Sequence, residues 1–113
     1  MPQIFDLNKL AEFSKKKGSL SLTEDLAIVK KDLLSTRNFD VILVCLETGQ
    51  EIPPHPEPYR ACFYVISGKG MFTVGKEKFE LSSGKMVFAA AGETRGIKSL
   101  DRLVLIGIHD PHV

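Results

Sequence analysis

Two side chains able to do chemistry, His55 and Glu57, stand two residues apart in a segment punctuated by Pro53, Pro54, Pro56 and Pro58. On an extended chain, residues i and i+2 lie on one face, so the imidazole and the carboxylate are expected to point the same way. Such a pair suits general acid–base catalysis, or supplies two donors to a divalent metal. The plainer readings are a histidine in an exposed proline loop and a surface carboxylate.

The segment feeds an apolar run, Ala61–Ile66, that ends at Gly68 and Gly70. Tyr59, Phe63 and Val65 share the parity of Ala61 and are expected to face inward, as ordinary core or as the apolar wall of a pocket. Cys62, Tyr64 and Ile66 have the opposite parity and offer an apolar outer face that a monomer would leave wet.

The rest of the chain has to position these groups. A chain of 113 residues fits one domain, and such a domain buries about two thirds of its unfolded surface. Lysine and arginine total 15 against 14 acidic residues, so no overall field favours nucleic acid or an anionic membrane. Cys45 and Cys62 lie in apolar runs without the spacing of a zinc or redox motif, and both are expected to be inert. The amino terminus lacks a basic segment followed by a long apolar one, and no run is long enough to span a bilayer. A soluble, cytoplasmic protein is expected.

Residues 6–17 read as one helix. Asp6 is the expected N-cap, Phe5 and Leu10 form a hydrophobic staple, and Leu7, Leu10, Ala11 and Phe13 share a face. Lys15, Lys16 and Lys17 suit the negative end of the helix dipole, and Gly18 the left-handed position beyond it. Short apolar runs follow: Ser19–Leu22, Leu26–Leu33, Phe39–Leu46, Ala61–Ile66, Met71–Val74, Lys78–Leu81, Met86–Ala89 and Leu103–His109. Runs of this length bounded by turn residues predict an all-β barrel or sandwich, with a helical arm over 1–18 and the barrel over 19–113. Gly75 between Met71–Val74 and Lys78–Leu81 predicts a hairpin. Leu43, Phe63, Val65, Phe72, Val74, Val87 and Val104 are expected to be buried. His109 and His112, beside Pro111 at the chain end, read as an exposed tail.

The frame Gly49, His55, Glu57, Gly68 resembles the first signature of the cupin superfamily, and Gly84 to Gly96, through Ala90 and Arg95, resembles the second. The resemblance covers about residues 26–109. It implies a cupin-like antiparallel β-barrel, a double-stranded β-helix or jelly roll, with both signatures lining one open mouth. In metal-binding cupins the first signature supplies two histidines and a glutamate and the second a third histidine. Here the first histidine is His55, the second position is Glu57, the glutamate position is Ala61 and the last histidine position is Arg95, while the signature proline is Ala90 and the terminal asparagine Ser99. A guanidinium about 4 Å from a divalent ion would add roughly 8 kcal/mol of repulsion at an effective dielectric near 20. The same charge would attract Glu57 by about 4 kcal/mol before desolvation.

Three function classes follow. The first is a small-molecule-binding cupin without metal, taking a small anionic or polar ligand among His55, Glu57, Arg95, Tyr59 and Phe63. The second is an enzyme: either a metal-dependent one of dioxygenase or isomerase type using His55 and Glu57 with Zn, Fe, Mn or Ni, or a metal-free one with His55 or Glu57 as base and Arg95 as electrostatic stabiliser. The third is a structural or regulatory module whose pocket is vestigial. Similarity to small cupins also implies a homodimer packed through sheet faces. Nothing suggests a nucleic-acid or membrane partner.

Overall fold

A computed structural model describes residues 2–14 and 28–111. Seven strands follow one short helix: α1 (Leu7–Leu10), β1 (Val29–Ser35), β2 (Asp40–Leu46), β3 (Glu51–Pro56), β4 (Ala61–Val74), β5 (Glu77–Ser82), β6 (Met86–Ala89) and β7 (Thr94–His109). All described pairings are antiparallel, as expected for a jelly-roll barrel.

β4 and β7 pair along most of their lengths, and both bend where their register slips between Val65 and Gly70. Beyond the bend each strand changes its outer neighbour. β7 pairs with β3 through Thr94–Lys98 and with β2 through Leu103–His109. β4 pairs with β6 through Ala61–Tyr64 and with β5 through Lys69–Val74. Two sheets therefore share two bent strands and enclose the core between them. Ala61–Ile66 and Met71–Val74, expected as separate strands, are the two halves of β4.

The enclosed face holds Val44, Leu46, Val65, Phe72, Leu103 and Leu105. Leu43, Val65, Phe72 and Val104 are buried as expected, whereas Phe63, Val74 and Val87 are only partly buried. Phe63 packs against the core on one side and borders a cavity on the other. Val74 ends its strand beside the turn at Gly75, and Val87 sits on the short edge strand β6. The predicted hairpin forms with Val74 opposite Glu77, closed by Gly75 and Lys76. Gly75 has φ +62° and Lys76 keeps a negative φ, the backbone of a turn that demands glycine first.

Two expectations need correction. β3 was expected as a proline-broken segment, yet it is a strand. Among the described residues it pairs only with β7, and an edge strand tolerates prolines because their missing N–H groups would otherwise face outward. The helix is one turn rather than residues 6–17: Asp6 caps it by accepting from the Lys9 N–H at 3.2 Å, and Ala11 is already extended. An isolated short helix is marginal, and here packing decides. Leu7, Leu10, Ala11 and Phe13 lie on the outer face of the sheet over Leu43, Cys45 and Val104. Phe13, past the helix, reaches the Arg102 guanidinium at 4.5 Å. The lysines 15–17, Gly18, the run Ser19–Leu22, the start of Leu26–Leu33 and His112 lie outside the described residues. Among those described, no helix is long and apolar enough to cross a membrane.

Candidate functional site

The two sheets leave a cavity of about 210 Å³ at one end of the barrel, reached by His55, Glu57, Tyr59, Phe63, Arg95 and His109. All five residues named from the sequence as ligand-binding therefore line one space. The apolar part of the wall comes from Ile42, Val44, Ile52 and Ile97.

Backbone geometry explains how the polar groups meet. In the β3–β7 pairing His55 lies directly opposite Arg95. The close approach of these strands needs Gly96, where a Cβ would stand 2.7 Å from the Pro54 backbone nitrogen. Glu57 follows β3 and is fixed by its carbonyl, which accepts from the Gly92 N–H at 2.7 Å.

His55 Nδ1 lies 2.8 Å from the Pro53 carbonyl oxygen, and its Nε2 lies 3.3 Å from Glu57 Oε1. The Tyr59 hydroxyl bonds to Glu57 as well, and its phenol is pushed up to about 12, first by burial and then by the bond to Glu57 and that carboxylate's charge. Arg95 opposes this shift, with its guanidinium carbon 5.4 Å from the Tyr59 ring centre.

Arg95 is 5% exposed. Its Nε donates to the Glu93 carbonyl at 3.1 Å and its Nη2 to the Ala90 carbonyl at 2.8 Å. Nη1 is buried with no partner among the described residues. An unpaired buried donor costs about 1–3 kcal/mol, so this arrangement is unfavourable until something accepts from it. Arg95 and Glu57 share the cavity without forming an ion pair: the guanidinium is turned onto two carbonyls, and Glu57 is engaged by His55 and Tyr59.

His109 is not part of an exposed tail. Its side chain is 10% exposed, it ends β7, and its ring stacks at a tilt 5.1 Å from that of Tyr59. Nδ1 donates to the Asp110 carbonyl at 2.7 Å. The pairing of Asp40 with His109 across β2 and β7 places it there, and that pairing links segments far apart in sequence. Lys30 and Asp32 also reach the cavity. Their shared parity in β1 is the one sequence signal that would have pointed to them.

The residues present do not fit the metal that the cupin resemblance implies. Only His55 and Glu57 converge as donors, and among the described residues no group of three or more His, Cys, Asp or Glu does so. The third histidine position carries a buried guanidinium whose free Nη1 seeks an acceptor, the opposite of what a cation offers.

Comparison with known proteins agrees with this architecture. Residues 42–107 match the cupin domain family. The chain belongs to the cupin family. Over 59 residues this cupin is 32% identical to an uncharacterised protein of Streptomyces coelicolor, a stretch covering 52% of this chain and 56% of that protein. It thus spans about half the length of that relative. Among solved structures, an RmlC-like cupin from Desulfovibrio desulfuricans superimposes with a TM-score of 0.80 at 17% identity, covering 100% of both chains. KdgF from a Halomonas species gives 0.77 at 19% identity, with 99% of this cupin and 96% of that chain covered. At these identities the likeness concerns the fold, which hosts many chemistries.

Proposed function

We propose that this cupin binds a small anionic ligand, holding its carboxylate or similar group at Arg95 and its hydrocarbon part against the apolar wall, with no resident metal. One observation carries the reading: Arg95, 5% exposed and with its buried Nη1 unpartnered among the described residues, belongs to the wall of a cavity lined largely by apolar side chains. An anion there would satisfy the donor and neutralise the charge through a charge-assisted bond. Pockets of this kind, apolar with a few convergent polar groups, are typical of ligand sites.

A thermal-shift and calorimetric series tests it, with butyrate, isovalerate and benzoate compared with their amides. A ligand present at about 100 times its Kd stabilises the folded state by about 2.7 kcal/mol, so carboxylates should raise the melting temperature and the amides should not. Arg95→Met should abolish the difference. If carboxylates and amides behave alike, the pocket is not an anion site and the vestigial-pocket reading takes its place.

The site works, in this reading, within a two-fold homodimer. Tyr64, Met86, Phe88 and Ile108 are exposed on the outer face, Met86 and Phe88 at 65% and 57%. Pairing places Cys62 between Phe88 and Ile108, and Tyr64 beside Met86. The charges at its border, Arg60 and Asp110, are paired with each other at 2.8 Å, so the apolar patch suits a second copy of itself. Light scattering should return twice the chain mass, and Phe88→Glu should return it to one. Free Cys45 and Cys62 suit a reducing compartment, and we place the protein in the cytoplasm.

A further inference from the structure

The Pro53 carbonyl can only accept, so His55 Nδ1, 2.8 Å away, carries a hydrogen. The other ring nitrogen, Nε2, faces Glu57 Oε1 at 3.3 Å. A neutral ring would set a lone pair against a carboxylate there. One proton shared between the two turns that repulsion into a charge-assisted bond. The Tyr59 hydroxyl gives Glu57 a second donor. Both members of the pair remain about one-third to one-quarter exposed, at 33% and 27%, and both line the cavity that Arg95 reaches. A salt bridge serving only stability would need neither the cavity nor an anion anchor opposite His55 in the sheet.

We propose that the His55–Glu57 pair is a proton-transfer dyad acting on a small α-keto acid, whose carboxylate Arg95 holds. The proposal rests on the anion-binding reading above and adds an activity to it. The substrate class follows from three demands: a carboxylate for Nη1, an acidified C–H for Glu57, and a hydrocarbon tail for the wall of Ile42, Ile52 and Ile97. Glu57 removes a proton from the carbon next to the ketone. The C–H electron pair becomes the enolate double bond, and the ketone π pair moves onto oxygen, where the guanidinium balances the charge. Glu57, now a carboxylic acid, returns the proton or one exchanged with solvent. His55 is a positioning residue that holds the carboxylate and stabilises its charge. The cycle needs no oxidant, reductant or second substrate.

The test uses the full chain with α-ketoisocaproate and phenylpyruvate in heavy water. Proton NMR follows loss of the hydrogens next to the ketone, and saturation transfer from the protein follows binding. Exchange should run above the buffer rate. Glu57→Gln should slow it by about 10²–10⁴-fold, the usual contribution of a general base, while binding persists. Glu57→Asp should recover part of the rate, and His55→Gln should lower kcat with little change in KM. Circular dichroism and melting temperature show that each variant is folded. Binding without accelerated exchange, or exchange indifferent to Glu57→Gln, overturns the dyad and leaves the anion site standing. Failure of the keto acids to bind where plain carboxylates do overturns the substrate class, and failure of every carboxylate overturns both readings.

Discussion

His55 divides its two ring nitrogens between an obligate acceptor and an anion: Nδ1 is 2.8 Å from the Pro53 carbonyl and Nε2 is 3.3 Å from Glu57 Oε1. The proline carbonyl thereby sets the tautomer, and the carboxylate decides what the remaining nitrogen must hold. Nitrogen NMR of labelled histidine should find hydrogen on Nδ1 in the native protein and a shared proton on Nε2. In Glu57→Gln the side-chain amide can donate, so Nε2 should become a lone-pair acceptor. Unchanged Nε2 shifts in that variant would mean the two groups do not share a proton.

Arg95 lies opposite His55 in the sheet, which makes it the position where a third metal ligand could be restored. Arg95→His removes a buried cation and adds an imidazole beside His55 and Glu57. Added zinc or nickel should then raise the melting temperature of the variant, since a ligand selective for the folded state stabilises it. The native protein should show little rise, and an equal rise in both would sink the idea that Arg95 repels the ion.

Phe63 and Phe72 have ring centres 6.4 Å apart, but only Phe72 is fully enclosed, at 1% exposure. Phe72→Ala should cost about 3–5 kcal/mol, the usual penalty for a buried aromatic. Phe63→Ala, which enlarges an existing cavity, should cost less. Urea unfolding of both variants decides this, and equal costs would mean the cavity is packed shut in solution.

Acid should weaken the anchor at the end of β7. The Arg60 guanidinium and backbone N–H both donate to Asp110, at 2.8–2.9 Å, and lower its carboxyl from 3.8 to about 2. A carboxylate depressed on folding contributes stability that is complete above its unfolded value and is lost as pH falls through its folded one. Urea midpoints should therefore separate native protein from Arg60→Met above about pH 4, with the gap closing towards pH 2. A gap that persists at the acid end would assign the effect to packing of the Arg60 stem.

Residue spacing alone determined the strand periods, the Gly75 hairpin and the shared face of His55 and Glu57, because each depends on neighbours within a few positions. Parity along one run likewise placed Ala61, Phe63 and Val65 inward and Tyr64 outward. The second cupin signature resemblance put Arg95 at the mouth. What Arg95 does there came only from the tertiary structure: its donors go to Ala90 and Glu93, carbonyls presented by the turn before β7, rather than to Glu57. His109 was misread for a related reason. Its environment is made by β2 and Tyr59, which sequence distance hides, whereas the nearby proline and chain end suggested exposure. The prolines of β3 concealed a strand because whether a missing N–H matters depends on which edge of the sheet it faces. The helical period of residues 6–17 was outweighed by the apolar outer face of β2 and β7, which draws Phe13 out of helical register and onto Arg102. Local chemistry sets which side chains share a face, and long-range pairing decides which faces meet.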